Sequence, residues 1–190
     1  KYLMAYEQMQ EGSFPNEYAT KKFINKSGTG KKRVVYSFSD DVNIALKFIA
    51  HYLYIYDDRL EENCYAFRKN HGVKQALGRL TGIRKLPEMY CFKADLHNYF
   101  NSIDVTLLLE KMAFIKEDDL VLYGVFDRIL SQKYVNLSGH IIAEEHGAMA
   151  GLPIAPFFAN IYLQKMDNFF ANRKVIYFRY SDDILIFADT

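Results

Sequence analysis

The stretch IYFRYSDDILIF, residues 176–187, joins two runs of β-branched and aromatic residues through Tyr180, Ser181, Asp182 and Asp183. Such runs, separated by a short polar joint, predict a β-hairpin with two acids at its tip. Adjacent like charges beside residues that favour burial repel each other, so we expect a cation, most simply a divalent metal ion, to neutralise them. A surface turn whose acids face water is the alternative interpretation of this segment.

A third carboxylate, Asp95, lies in a similar setting within YCFKADLHNYFNSID, residues 90–104. Residues 90–94 predict a short strand, and a helix is predicted from Asp104 onward. Each of two predicted strands therefore has an acidic residue at one end. Carboxylate oxygens on rigid strands suit Mg²⁺ or Mn²⁺, which keep water and phosphate oxygens as their other ligands. In two-metal phosphoryl transfer, such ions lie about 3.5–4 Å apart, activate the attacking 3′ hydroxyl and neutralise the leaving pyrophosphate.

Three other segments accompany these two acidic ones, FKAD at residues 92–95 and YSDD at residues 180–183. Between them lies GAMAGLPIAPFFANIYL, residues 147–163, and upstream lie INKSGTGKKRVV, residues 24–35, and YAFR with QAL, within residues 65–77. In this order the five segments resemble the sequence blocks of reverse transcriptases, most closely those of the bacterial group II intron and retron-like branch. The resemblance covers nearly the whole chain.

The resemblance implies an α+β fold, the fingers and palm of a right-hand polymerase, with an antiparallel palm sheet backed by helices and no thumb. Fingers are expected at residues 1–85 and 113–148, and palm at residues 86–112 and 149–190. Alternating strands and helices could instead form a parallel doubly wound sheet, but the tight hairpin is an antiparallel connection. We expect a fingers-palm fragment that is weak or inactive alone.

For function, the resemblance implies an RNA-directed DNA polymerase, a nucleotidyltransferase that uses two Mg²⁺ ions, with Mn²⁺ as a substitute. Its partners would be an RNA template, a DNA or RNA primer and deoxynucleoside triphosphates. Two other functions stay open, because fold does not fix function. One is a non-catalytic RNA-binding or maturase module, against which the three retained acids argue. The other is a DNA polymerase that works without a template.

Matching the family blocks residue by residue gives the expected catalytic and metal site. Asp95 and Asp182 are the implied metal ligands, Asp183 is the supporting acid, and the carbonyl of Leu96 is an implied backbone ligand. Phe100 falls where the family places an aromatic ring under the sugar, which would collide with a 2′ hydroxyl and so select deoxynucleotides. A core aromatic is the alternative role for Phe100.

The resemblance also places nucleotide contacts on the basic hairpin and on the glycine segment. Lys26 and Arg33 match the cations that hold the triphosphate, Lys26 as a point charge and Arg33 as a bidentate fork. Ala150 and Gly151 match positions beside the incoming nucleotide, but family members usually carry Gln where this chain has Ala150. That departure bears on substrate geometry or fidelity rather than on the metal chemistry.

The net charge of +1 conceals two basic segments in the amino-terminal half of the chain. Residues 18–39 and residues 63–86 each hold six basic residues and no acid. Basic faces interleaved with aromatic rings can follow a phosphate backbone, so Arg68, Lys69 and Lys74 are candidate nucleic-acid contacts. Solvated helix and loop surface is the alternative for each of them.

With 190 residues, 50% hydrophobic and 25% charged, the composition is that of a soluble globular protein. No apolar run approaches the roughly 18 residues of a membrane span, and the amino terminus has no signal-peptide layout. Cys64 and Cys91 lack metal-ligand spacing, which fits a reducing compartment. We therefore expect a cytoplasmic protein without a membrane partner, and the sequence does not indicate its oligomeric state.

Apolar spacing and turn residues also predict the remaining elements. A hairpin is predicted over residues 23–38, turning through residues 27–30. Helices are predicted over residues 2–10, 41–56, 72–81, 104–112, 119–133 and 156–170.

Overall fold

The structure, a computed structural model, describes residues 2–25, 28, 30–173 and 175–189. The strands in these ranges are β1 (Thr20–Asn25), β2 (Lys32–Ser37), β3 (Tyr90–Asp95), β4 (Tyr134–Leu137), β5 (His140–Ala143), β6 (Ile176–Tyr180) and β7 (Asp183–Ala188). The α-helices are α1 (Tyr2–Gln10), α2 (Asp40–Tyr52), α3 (Val73–Thr81), α4 (Val105–Lys111), α5 (Ala113–Asp118), α6 (Leu120–Leu130) and α7 (Ala155–Ala171). Short 3-10 helices occupy Leu53–Arg59, Leu86–Glu88 and Tyr99–Ser102.

The chain divides into two compact units, each built from two stretches of sequence. The first unit contains the residues up to His51 together with Phe100–Ala155, and the second contains Tyr52–Tyr99 together with the residues from Pro156 onward. These units follow chain packing and do not delimit polymerase subdomains. The boundaries expected for fingers and palm therefore stay a prediction.

The first unit contains a four-stranded sheet, and helix α6 contributes five buried side chains to its core. The strand order is β2-β1-β4-β5, with antiparallel pairing in both hairpins and a parallel contact between β1 and β4. Helix α6 begins after Asp119, whose side chain accepts a hydrogen bond from the amide of Leu122 at 2.9 Å, as an N-cap does. Its buried side chains recur at helical spacing, at Leu122, Val125, Phe126, Ile129 and Leu130.

The second unit is built on the hairpin that the sequence predicted. Its sheet has the order β3-β7-β6, and both pairings are antiparallel. One face of the hairpin carries Phe178 and Phe187, which pack with Tyr65 in a buried cluster. The predicted α+β fold, with an antiparallel sheet backed by helices, is confirmed, and the antiparallel register excludes the parallel doubly wound alternative.

Most predicted elements agree with the structure, with three differences. The helix predicted over residues 41–56 is α-helical as Asp40–Tyr52 and continues as the 3-10 helix Leu53–Arg59. The β4–β5 hairpin and helix α5 were not predicted. The tip of the first hairpin lies partly outside the described residues, since Lys26, Ser27 and Thr29 are not among them.

None of the helices that the structure describes is both long enough and apolar enough to cross a membrane.

The buried thiol of Cys64 gives the second unit a predicted response to alkaline pH. Burial is the largest of the effects that raise the pKa of Cys64 from its ordinary 9.0 to about 11. The unfolded thiol ionises near the ordinary value and the folded thiol does not, so stability is fully present below pH 9 and is lost as the pH rises towards 11.

Urea unfolding of the wild type and of Cys64→Ala at several pH values from 8 to 11 measures this response. Because two pKa units correspond to about 3 kcal/mol, we expect the wild type to lose about 2–3 kcal/mol more than the variant across this range. The other ionisable side chains are the same in both proteins, so the difference between the two curves isolates Cys64. Parallel curves for the two proteins would contradict the prediction.

Candidate active site

Strand register brings two of the predicted catalytic acids directly opposite each other. Asp95, the last residue of β3, pairs with Asp183, the first residue of β7. Side chains of directly paired residues leave the same face of a sheet, with Cβ atoms about 4.5–5.5 Å apart. Both residues are exposed. The pair therefore presents two carboxylates side by side at one end of the sheet.

The third acid, Asp182, lies in the two-residue loop that connects β6 and β7. The pairing of Tyr180 with Asp183 closes this loop, and Ser181 adopts a positive φ of 60°. The amide of Leu96 donates a hydrogen bond of 3.1 Å to the carbonyl of Asp182, which extends the pairing of β3 and β7 beyond the last strand residue. The structure therefore places the backbone of Asp182 beside Leu96, next to the strand ends that carry Asp95 and Asp183.

The electrostatics of this cluster favour an added cation. The side chains of Asp95, Asp182 and Asp183 make no hydrogen bond or ion pair with any residue that the structure describes. Like charges directly opposite each other on a sheet repel, so a positive charge between them would stabilise the fold locally.

The donor set consists of carboxylate oxygens, the ligand type that suits Mg²⁺ or Mn²⁺. In the described part of the chain, no group of three or more His, Cys, Asp or Glu side chains is arranged to hold a metal ion. A complete protein cage is not what Mg²⁺ requires, because it usually takes one or two carboxylates, several waters and substrate phosphates. A pair of exposed carboxylates, which leaves the remaining coordination positions to water and phosphate, agrees with that preference.

In the first unit, the glycine segment lies between β2 and the residues that follow Tyr99. The amide of Ala148 donates to the carbonyl of Phe100 at 2.7 Å, and the amide of Tyr36 donates to the carbonyl of Ala150 at 2.7 Å. Asn101 also reaches β2, where its side-chain amide donates to the carbonyl of Val34 at 3.4 Å. Phe100, Ala150 and the strand that carries Arg33 are therefore joined by hydrogen bonds.

Two glycines make this close packing possible. A Cβ atom on Gly147 would lie 2.4 Å from the carbonyl oxygen of Phe100 and 2.8 Å from the carbonyl carbon of Asn101. Gly151 has a φ of +103°, and a Cβ there would lie 2.9 Å from the carbonyl oxygen of Tyr36. At both positions the neighbouring atoms are backbone, so a side chain could fit only if the chain moved.

The predicted cations occupy different environments. Arg33 is exposed in β2, opposite Ile24, and makes no ion pair with the described residues. Lys26 lies outside the described residues. The side chains of Lys69 and Lys74 are exposed, Lys74 on the first turn of α3, so both can meet a phosphate backbone.

Arg68 is buried, which corrects its predicted role as a nucleic-acid contact. Only 9% of the residue is exposed. Its guanidinium donates to the backbone carbonyls of Glu61 at 2.7 Å, Cys64 at 3.0 Å and Asp57 at 2.9 Å. The charge therefore holds a loop together inside the second unit, and the basic run in the sequence did not reveal this burial.

Sequence reasoning also missed a buried polar cluster next to the acids. Arg179, two residues before Ser181, and Asp167 and Asn160 of helix α7 are all buried. A signal was present for Arg179, because it interrupts the apolar strand IYFRY; Asp167 lies among polar neighbours and gave no such signal. Charged residues are almost never fully buried unless they are paired.

Comparison with known proteins places the chain in a family. No curated protein matches it. The solved structures that resemble it include telomerase from Candida albicans, with a TM-score of 0.56, 11% identity, and coverage of 100% of this chain and 43% of that one. Telomerase from Candida tropicalis gives a TM-score of 0.60, 12% identity, and coverage of 100% and 40%. Both were solved in complex with a TWJ fragment of telomeric RNA.

At these identities the likeness shows the fold alone, and this chain spans less than half the length of either telomerase chain. A family model described as reverse transcriptase (RNA-dependent DNA polymerase) matches residues 24–190, which is most of the sequence. The chain therefore belongs to the reverse transcriptase family.

Proposed function

We propose that this chain carries the catalytic acids of an RNA-directed DNA polymerase, which transfers a nucleotidyl group from a deoxynucleoside triphosphate to a primer 3′ hydroxyl. The pairing of Asp95 with Asp183, with Asp182 joined to the same strand end through Leu96, is the observation that carries the proposal. The group II intron and retron-like branch is part of the proposal and rests on the residues of the glycine segment. The activity belongs to the whole protein, of which this chain supplies fingers and palm.

In this proposal the acids hold two divalent ions and place them against the reacting groups. Asp95 and Asp182 bind the ions, Asp183 supports them, and the carbonyl of Leu96 is a further ligand. The ions, when bound, supply Lewis-acid activation of the primer hydroxyl and neutralise the leaving pyrophosphate. The rigid strand ends position the carboxylates before substrate arrives, so little reorganisation is needed during transfer.

The nucleotide contacts of this proposal are the ones that the family resemblance implies. Arg33 and Lys26 neutralise the triphosphate, and Ala150 and Gly151 line the place of the incoming base. Phe100 lies under the sugar and excludes a 2′ hydroxyl. An RNA template is proposed because the chain belongs to this family and because both telomerases were solved with RNA.

Primer extension by the native protein that contains this chain tests the proposal. The assay supplies a labelled primer on an RNA or a DNA template, deoxynucleotides, and Mg²⁺ or Mn²⁺. RNA-templated extension is the expected result. The ratio of ribonucleotide to deoxynucleotide incorporation should rise in Phe100→Ala if that ring excludes the 2′ hydroxyl, and an unchanged ratio would leave it a packing residue.

The same assay separates the two alternative functions. Extension of a primer without any template would indicate the template-independent polymerase, an alternative that stays open because this chain has Ala150 where the family usually has Gln. RNA binding with no extension under any metal would indicate the non-catalytic module. Either outcome would overturn the proposal.

A specific prediction concerns Arg33. The replacement Arg33→Ala should weaken nucleotide binding by an amount on the order of 1.5–3 kcal/mol, since a charge-assisted bond to phosphate is lost. Primer-template affinity should change little. Nucleotide titration in the extension assay and a separate binding measurement for primer-template give the two quantities.

Lys32→Ala is the matched control for Arg33→Ala. Lys32 is the adjacent exposed cation in β2, and neighbouring strand residues point to opposite faces. It should leave nucleotide affinity almost unchanged. Loss of primer-template binding with normal nucleotide affinity in Arg33→Ala would instead assign this strand to the nucleic-acid path.

A further inference from the structure

Arg179 is a fully buried cation immediately beneath the proposed catalytic loop. It has 0% exposure, and each of its five N–H groups has an acceptor. Nε and Nη2 donate to the two carboxylate oxygens of Asp167 at 2.8 and 2.6 Å, and Nη2 also contacts Sγ of Cys64 at 3.0 Å. Nη1 donates to Oδ1 of Asn160 and to the carbonyl of Ser181, both at 3.1 Å.

The bond to Ser181 links this cation to the loop that presents Asp182. Ser181 is buried and holds a φ of 60°, a conformation that residues other than glycine adopt only when their surroundings enforce it. The guanidinium of Arg179 supplies a fixed donor at the carbonyl of that residue. The backbone direction into Asp182 is therefore tied to the side chain of Arg179.

Asp167 ties Arg179 in turn to helix α7. Its side chain is completely buried, and it accepts both hydrogen bonds of the guanidinium fork and a third from the hydroxyl of Tyr177 at 2.8 Å. Burial alone would lower the pKa of Arg179, but the hydrogen bonds and charge of Asp167 outweigh it and the pKa is raised. Arg179 therefore stays charged, and helix α7, which carries Asp167, fixes the position of its guanidinium.

The backbone of Arg179 is held as firmly as its side chain. Its amide donates to the carbonyl of Asn63 at 2.8 Å, and its carbonyl accepts from the amide of Tyr65 at 2.9 Å. On the other side of the sheet, Leu96 binds the carbonyl of Asp182. The loop is thus fixed from two directions, by β3 and by the buried cluster.

Stability alone does not explain such a pair. Buried ion pairs are often no more stabilising than apolar residues of similar volume, because removing both charges from water offsets their attraction. Arg179 uses two of its five guanidinium donors on Asp167 and directs another to the Ser181 carbonyl of the loop. Apolar side chains cannot supply that geometric role.

We propose that Arg179 and Asp167 are positioning residues. They anchor the Ser181–Asp182 loop to helix α7, so that the Asp182 carboxylate faces Asp95 before metal and nucleotide bind. This inference rests on the proposed function. Neither residue touches substrate; both act through the loop. Lysine cannot replace Arg179, because an ammonium has three donors and no planar fork.

The test uses Arg179→Lys and Asp167→Asn in the native protein, with Tyr177→Phe as control. Tyr177→Phe removes one hydrogen bond to Asp167 and leaves the guanidinium contacts in place. Two quantities are measured: the Mg²⁺ concentration for half-maximal extension, and the hydrogen-exchange rate of the Leu96 amide, which reports the bond to Asp182 without requiring activity.

In Arg179→Lys the Mg²⁺ requirement should rise by about 10- to 100-fold, as is usual when support of metal ligands is lost. The Leu96 amide should exchange about tenfold faster as local opening becomes easier. Asp167→Asn should show the same changes more weakly, and Tyr177→Phe should resemble the wild type.

A lower unfolding temperature with unchanged Mg²⁺ requirement and unchanged Leu96 exchange would overturn the inference and leave the pair purely structural. If the variants do not fold, hydrogen exchange of the wild-type protein still tests the inference. A fixed loop requires the Leu96 amide to exchange as slowly as the amide of Arg179. Much faster exchange of Leu96 would contradict the inference. Absence of extension by the wild type would instead refute the proposed function. The exchange measurements would still test whether Arg179 and Asp167 fix the Ser181–Asp182 loop.

Discussion

Asp182→Asn should lower the rate of primer extension by about 1,000-fold or more while leaving the fold intact. A divalent ion contributes several kcal/mol of transition-state stabilisation, and each 1.36 kcal/mol is a factor of ten in rate. The neutral amide keeps the shape of the carboxylate but loses the charge that holds the ion. The fold should persist because the carbonyl of Asp182, not its side chain, binds Leu96.

Asp95→Asn should have a comparable effect, and Asp183→Asn a smaller one if Asp183 only supports the ions. Asp183 and Asp95 are direct neighbours across the sheet, so removing either charge relieves repulsion. The unfolding temperature of each variant should therefore equal or exceed that of the wild type. Loss of activity together with a large loss of stability would point to a packing role instead.

Asp189→Asn is the matched control for these substitutions. Asp189 follows the same strand, is exposed, and pairs with Lys85 at 3.3 Å. An exposed pair of this kind contributes about 0–1 kcal/mol, so extension should stay near the wild-type rate. Extension assays at saturating Mg²⁺ and nucleotide, with circular dichroism of each variant, complete the comparison. Activity in Asp182→Asn close to that of the control would exclude Asp182 as a ligand.

The catalytic hairpin could be predicted because its signals are local. Two apolar runs around a polar joint gave β6 and β7, Ile176–Tyr180 and Asp183–Ala188, as the structure has them. Helix α7 was likewise predicted to within a residue at each end, since its apolar run is long. The register that sets Asp95 against Asp183 is not local, because it depends on packing between distant strands.

Two features escaped sequence reasoning for different physical reasons. The β4–β5 hairpin has strands of four residues, too short for alternation to stand out, although Ser138 and Gly139 form a two-residue loop with positive φ at both positions. The burial of Arg68 is invisible in the sequence, because a basic run looks the same whether its members face water or carbonyl groups. For Arg179, the apolar residues on either side were the one signal that its side chain is buried with a partner.

Gly147→Ala should destabilise the first unit by about 1–3 kcal/mol or more, the usual cost of forcing extra volume into packed surroundings. The added Cβ would lie 2.4 Å from the carbonyl oxygen of Phe100, with Asn101 backbone atoms at 2.8 and 3.0 Å. These atoms cannot turn aside as a flexible side chain would. The amide of Ala148 binds the same carbonyl at 2.7 Å, so any shift also weakens that hydrogen bond.

Gly124→Ala is the control, and it should act in the opposite direction. Gly124 is exposed within helix α6 of the same unit, and a Cβ there would meet no atom within 4 Å. Alanine in an open helix position is favoured over glycine by about 0.5–1 kcal/mol. Urea unfolding of both variants and the wild type therefore yields shifts of opposite sign for the same chemical change.

The Gly147 variant also tests whether packing in the first unit governs nucleotide binding. A displaced glycine segment would move Ala150 and Phe100 together. Ala150 accepts a hydrogen bond from β2, Phe100 accepts one from Ala148 of the same segment, and Asn101, next to Phe100, donates to β2. Where the variant still folds, its nucleotide KM should rise by a larger factor than the Mg²⁺ concentration for half-maximal extension. The Mg²⁺ requirement depends on the acids of the second unit, which the substitution does not touch. An unfolding midpoint equal to that of the wild type would mean that the close approach of Gly147 to Phe100 does not exist in solution.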